Sequence, residues 1–272
     1  MYDAGYPYDV LQRSQGELRV SLRRRDEQTV LHTLYQSGCL KARLPRSEMD
    51  GWAEVVTLNL SGGVAGGDRL VNAFHAAAAT RAVITSQAAE RFYRAVPGSV
   101  ASVRTAIDVA AGAFVEWLPQ ASILFDGAVL DRRLEIDLAE DAHFLGAESL
   151  LFGRAAMGET VRQAWLRDGI RIRRAGSLVL NDALRLEGEV AALLQRRAVS
   201  DGGTALATLW YLGPDAEYRL RRLQEVDIAC SAWNGMLVAR MLAADGAILR
   251  ASLLAALAEL RDDRPLPRVW LC

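Results

Sequence analysis

Period-two alternation governs most of this chain, and it limits the fold more than any other feature. In residues 128–138, Leu130, Leu134, Ile136 and Leu138 fall on one side. Asp131, Arg133, Glu135 and Asp137 fall on the other. That is the pattern of a strand with one face in a core and one in water. Residues 101–109 repeat it, with Ala101, Val103, Thr105, Ile107 and Val109 aligned. Residues 52–60, 178–186 and 206–212 show it less regularly. Pro97-Gly98, Ala111-Gly112, Asp126-Gly127 and Asp168-Gly169 read as punctuation between runs. Short strands at intervals of roughly 8–12 residues indicate a sandwich, a barrel or a solenoid. The regular strand–helix alternation of a parallel α/β sheet is absent.

The period changes after about Asp227. Trp233, Met236, Leu237, Met241 and Ala244 recur at helical spacing, as do Leu249, Leu253, Leu257 and Leu260. Asp245 is placed to cap the second helix. Pro265 and Pro267 then prevent its continuation. The expectation is one β-dominated domain over residues 1–272, with a small C-terminal helical pair at about 230–262.

Composition removes several function classes. The formal charge of −1 offers no global attraction to nucleic acid. The arginine clusters Arg23–Arg25 and Arg171, Arg173, Arg174 come without an aromatic platform, and a protein-facing surface suits them as well. Cys39, Cys230 and Cys272 are odd in number and lack metal-type spacing, which fits a reducing compartment. Neither a signal-peptide pattern nor an uncharged apolar run of about 18 residues is present. The expectation is a cytoplasmic protein without a membrane anchor.

The glycine-rich stretch LNLSGGVAGGDRL, residues 58–70, is the obvious candidate for a ligand loop. It has neither the G-x-G-x-x-G spacing of a dinucleotide fingerprint nor the Gly-Lys-Ser/Thr ending of a P-loop. The residues after Asp68 read as a strand. The loop is therefore an architectural corner built on Gly62, Gly63, Gly66 and Gly67, from which Asp68 can accept backbone N–H bonds. His32, His75 and His143 have no partner at zinc-ligand spacing. Cys272 is only a remote candidate for a soft metal. No nucleophile elbow is present.

Carboxylates remain. Glu116 alternates with Phe114 and Leu118, which aims it into an apolar layer. Glu148 has Arg154 and Glu159 nearby in sequence. A buried carboxylate requires a partner, and an arginine or a metal would serve. A structural arginine pair is the plainer reading. A paired acid and base of the glycosidase type is the other, and chain spacing cannot give the separation which that chemistry needs.

Taken in order, six segments resemble the UreD (UreH) family of urease accessory proteins. They are SGGVAGGDRL (61–70), ITSQAAERFYR (84–94), EWLPQASILFDGA (116–128), LFGRAAMGE (151–159), LVARMLA (237–243) and PRVW (267–270). The resemblance runs from about Leu18 to the end. It implies a flattened helical stack of strands with a minor helical part, and a non-enzymatic maturation factor. It also implies partners: urease apoprotein, a helical accessory protein of the UreF type, and a GTP-hydrolysing metallochaperone of the UreG type. No tightly bound cofactor is implied. Nickel passes transiently through an internal water-filled tunnel, and Asp68, Glu116 and Glu148 become its candidate carboxylates. Oxygen ligands in a wet channel hold nickel weakly enough to release it.

The chain departs from the family pattern at Gly38-Cys39-Leu40, at Ala65 and at Glu90-Arg91. Glu90 either adds a carboxylate to the path or pairs with Arg94 across a helical turn. The rival reading is a β-solenoid polysaccharide hydrolase or lyase that uses carboxylates such as Glu116 and Asp137.

Overall fold

A computed structural model describes residues 12–154 and 157–271. Cys272 lies outside the described residues. Two sheets face each other. The first contains, edge to edge, Ser177–Glu189, Gln163–Arg174, Val129–Leu138, Ala101–Val109, Arg69–Ala76, Gln15–Arg25 and Gln28–Gly38. The second contains Cys230–Trp233, Met236–Ala243, Ala205–Leu212, His143–Phe152, Phe114–Leu118, Arg81–Ser86, Ala53–Asn59 and Leu40–Arg43.

The middle strands of both sheets are parallel and in register. The chain alternates between sheets, one strand in each, and climbs by one strand position per turn. Two short parallel strands, Glu90–Phe92 and Ser122–Leu124, form a narrow third side. The result is a flattened β-helix. Antiparallel strands close the stack at both ends, pairing through Gln15–Arg25 with Gln28–Gly38 and through Ala205–Leu212 with Met236–Ala243. The expected β-dominated stack is therefore the observed fold.

Alternation builds the core between the sheets. Leu130, Leu134, Ile136 and Leu138 face inward against Val115, Trp117 and Phe144. Full burial of one such large side chain contributes about 1.5–3 kcal/mol. A second apolar layer lies on the outer face of the second sheet. There Leu145, Leu209 and Leu237 pack under the helix Gly246–Arg261 through Leu249, Leu253 and Leu257. Asp245 caps that helix as expected, accepting from the backbone N–H of Ala247 at 2.8 Å and of Ile248 at 2.9 Å.

The helical pair differs in its first member. Residues 230–243 are a β-hairpin, not a helix. The helix that packs beside Gly246–Arg261 is Ala216–Glu225, which lies earlier in the chain. The strand Met236–Ala243 buries Leu237, Ala239 and Met241 on one face and carries Met236, Val238 and the exposed Leu242 on the other, so its apolar residues run nearly without interruption and mimic a helical stripe. Two further expectations fail locally. Asp168-Gly169 sits inside the strand Gln163–Arg174 and is not a turn. Glu90 opens a short strand, so it has no helical turn to share with Arg94, which pairs with Asp126 at 2.7 Å. Among the described residues no helix is long and apolar enough to cross a membrane.

Candidate functional site

The core between the sheets contains a polar belt. Inward positions of four parallel strands carry Asn72, Thr105, Arg132 and Asp168 where their neighbours are leucine, valine, isoleucine or phenylalanine. The second sheet contributes Glu148, and the third side contributes Glu90 and Ser122. All of these groups except Asp168, which borders only a smaller cavity, line a cavity of about 250 Å³ that Trp117, Leu70 and Phe92 complete. It reaches solvent beside Gly62, Gln87 and Arg91, which are exposed. A smaller cavity of about 40 Å³ continues from Arg132 and Glu148 to Asp182 and Trp210.

At the junction of the two cavities, the Arg132 guanidinium donates to both Asp168 oxygens, at 2.9 and 2.5 Å, and to Ser122 Oγ at 2.9 Å. Arg132 also lies 2.9 Å from Glu148 Oε2. The angle of that contact is poor for a hydrogen bond, and Oε2 has no hydrogen-bond partner among the described residues. Trp117 Nε1–H donates to Glu148 Oε1 at 3.0 Å. Trp210 Nε1–H, in the smaller cavity, has no acceptor among the described residues.

One guanidinium thus faces two carboxylates. Burial opposes the charge of Arg132, yet Asp168 and Glu148 more than offset this and hold its pKa above the ordinary value. Burial pushes the Glu148 carboxyl up and the charge of Asp168 adds to the rise, while Arg132 and the Trp117 N–H oppose it. At the cavity mouth, burial raises Glu90, and a hydrogen bond from Asn59 Nδ2 at 3.1 Å opposes the rise.

The three carboxylates singled out from sequence occupy three different environments, and only Glu148 lines the cavity. Asp68 is 6% exposed and bonded to backbone. Its Oδ1 accepts from Ser14 N–H and its Oδ2 from Ala65 N–H, each at 2.7 Å. It fastens the first strand to the corner. Gly67 has φ +93° and Gly63 φ +143°, conformations that explain glycine at both positions. Gly66 is crowded instead, since a Cβ there would lie 2.5 Å from that of Ala95. Gly62 and Gly63 border the cavity, whereas Gly66, Gly67 and Asp68 do not line it.

Glu116 lies on the far face of the second sheet, beneath the helices, and is fully buried. Its Oε2 accepts from Arg261 Nε and its Oε1 from Arg264 Nη2, both at 2.9 Å. Burial pushes its carboxyl up and the two guanidinium groups oppose the rise. Asp137 lies on the outer face of the first sheet, so the two carboxylates of the rival hydrolase reading stand on opposite sides of the molecule. Arg154 pairs with Glu159 at 3.1 Å and not with Glu148. Among the described residues, no group of three or more His, Cys, Asp or Glu side chains is arranged to hold a metal ion.

Sequence reasoning missed Arg132 and Asp168. The signal was their register, because each stands in step with core residues, Leu130 and Leu134 for one and Leu166 and Ile170 for the other.

The family model described as UreD urease accessory protein matches residues 14–271. A protein named urease accessory protein UreD from Rhizobium leguminosarum bv. viciae is 46% identical over 263 residues, spanning 95% of this chain and 96% of that protein. Its namesake from Sinorhizobium medicae strain WSM419 is 47% identical over 269 residues, with 95% and 96% covered. That from Agrobacterium fabrum strain C58 is 42% identical over 262 residues, with 95% and 92% covered. With a β-helical stack in hand and agreement along nearly its whole length, this chain belongs to the UreD family of urease accessory proteins.

Proposed function

We propose that this protein is a non-enzymatic maturation factor that conducts nickel through its interior to apo-urease. The observation that carries the reading is the Arg132–Asp168–Glu148 cluster. Its formal charges sum to −1 when both carboxylates are ionised, in a cavity between otherwise apolar sheets. A buried, under-compensated carboxylate is costly unless a proton or a cation accompanies it. Glu148 Oε2 and Trp210 Nε1, both lacking hydrogen-bond partners among the described residues, are suited to water, and a polar cavity of this size accommodates it.

Carboxylate oxygens and water form a hard, weakly holding environment for a divalent transition metal, with no thiolate to trap it. Glu90 stands at the mouth and Glu148 deeper inside, which gives entering cargo two carboxylates in sequence. Asp68 and Glu116 serve the architecture in this reading, while Asp168 joins the path. Nickel is cargo here and is released. The protein works in the cytoplasm beside a helical accessory partner of the UreF type and a GTP-hydrolysing metallochaperone of the UreG type.

The test is co-expression of urease subunits and accessory proteins with this chain, without it, and with Glu148→Gln. Nickel content and ureolysis of the purified urease are the readouts. Both fall without the chain, and both fall with Glu148→Gln while the accessory complex still assembles. Full nickel occupancy with the variant would remove Glu148 from the path, and full occupancy without the chain would end the reading altogether.

A further inference from the structure

Arg132 stands where the larger cavity meets the smaller, and it lines both. Parallel register puts it beside Asp168, because the two residues are partners on adjacent strands. One of its nitrogens, Nη2, has a particular position. It lies 2.5 Å from Asp168 Oδ2 and 2.9 Å from Glu148 Oε2. Those carboxylates come from opposite sheets, and a metal ion bridging them would have to occupy the same place.

The two carboxylates hold Arg132 unequally. Asp168 accepts in a fork from Nε and Nη2, which is the strong bidentate geometry. Glu148 attracts by charge, since its Oε2 accepts no hydrogen bond among the described residues. The Glu148 side chain is only 9% exposed. A carboxylate oxygen so deeply buried and so incompletely satisfied is a ligand position left open.

The guanidinium also has somewhere to go. Its Nη1 already donates to Ser122 Oγ at 2.9 Å, on the narrow third side. Ser122, Asn72 and Thr105 all line the larger cavity and offer oxygen acceptors there. A shift of the flexible arginine stem towards them uncovers the oxygens of Asp168 and Glu148 and keeps the guanidinium among polar groups.

Charge decides what that shift is worth. With Arg132 in place the ionised cluster carries −1, and without it −2. In a site screened from bulk water, a divalent ion feels that difference strongly. Two carboxylates alone would hold it firmly, and a guanidinium that competes for both loosens the grip.

We propose that Arg132 is a built-in competitor for the cargo ion. It occupies the bridging place between Asp168 and Glu148, yields it to a divalent cation, and returns to displace that cation. The inference rests on the nickel reading for the identity of the cargo, and it names the residue that limits how tightly the cargo is held.

The test is nickel binding to the full chain by equilibrium dialysis at neutral pH, with folding checked by circular dichroism. Arg132→Gln binds nickel at least tenfold more tightly than wild type, and adding Glu148→Gln removes the gain. Arg132→Lys keeps the positive charge and stays within about threefold of wild type. Asp168→Asn leaves one carboxylate facing one guanidinium and binds at least tenfold more weakly. That variant decides the matter if Arg132→Gln does not fold.

The proposal is overturned if Arg132→Gln binds no more tightly than wild type, or if its gain survives Glu148→Gln. Lysine at 132 giving the same gain as glutamine, an unchanged affinity in Asp168→Asn, or no binding by any folded form also overturns it. In co-expression, Arg132→Gln keeps nickel on this chain and lowers the nickel of urease. Urease that fills without the chain would end the nickel reading, yet it would leave the order of affinities in dialysis as it stands.

Discussion

Glu116 and Glu148 are buried carboxylates of the same sheet, one on each face, and their surroundings differ in one respect. Glu116 has two guanidinium groups for one charge, with both oxygens hydrogen-bonded. Glu148 shares one guanidinium with Asp168 and keeps one oxygen without a hydrogen bond among the described residues. The first arrangement ties the end of the helix Gly246–Arg261 to the sheet. The second borders two cavities. A buried charge whose partners are complete is part of the architecture, and one whose partners are incomplete is available to something else. The same criterion assigns Asp68, with its two backbone donors, to the architecture.

The comparison is broken most easily at Glu116. Glu116→Ala leaves Arg261 buried without its counter-charge, at a cost of about 3–5 kcal/mol, read as a fall in the urea midpoint. A loss under about 1 kcal/mol would mean that the pair does not hold the helix. Asp68→Ala comes next. It strands two backbone N–H groups and costs about 1–3 kcal/mol, yet the nickel delivered per folded molecule stays unchanged. Lowered delivery at unchanged stability would return Asp68 to the path.

Glu148→Gln has the smallest effect on folding, and its sign depends on pH. The Glu148 carboxyl is raised in the folded chain, so the folded state holds a proton that the unfolded state has released. Its contribution to stability is complete below the ordinary carboxyl pKa of about 4.3 and is lost as pH rises through the folded value. Wild type and Glu148→Gln are therefore equally stable in acid, and the variant gains relative to wild type as pH rises. Denaturant midpoints across pH measure this directly. A variant that instead weakens with pH would show the Glu148 carboxyl to be lowered in the folded chain, and would overturn this reading of its surroundings.

Much of the architecture was legible, because period two reports a strand wherever one face meets water. The reading failed where the second face of a strand is apolar as well. Met236, Val238 and Leu242 fill positions that a half-buried strand would leave polar, so helical spacing fitted by accident. Asn234-Gly235 carried the missing signal, since both residues take positive φ, 49° and 69°, as the turn of a tight hairpin requires. In the site, Glu148 was visible as a carboxylate among apolar residues. Arg132 and Asp168 were not, because polar residues flank them on the outward face and only their parity marks them as inward. That Glu116 meets Arg261, 145 positions away, is tertiary information that no local pattern carries.

The parallel register of the stack also makes it a ruler. Glu90 and Ser122 stand opposite each other on adjacent strands, and Ser122 stands opposite Leu150, two residues beyond Glu148. Each turn of the chain advances the next polar group by one strand spacing, about 4.8 Å. The interval between the mouth and the deep carboxylate is thus two strand spacings across the stack plus a two-residue offset along the strand, both set by backbone register and insensitive to the side chains in between. A turn added to or removed from the stack would change that interval in one step, while substitutions along it would alter only what stands at each mark.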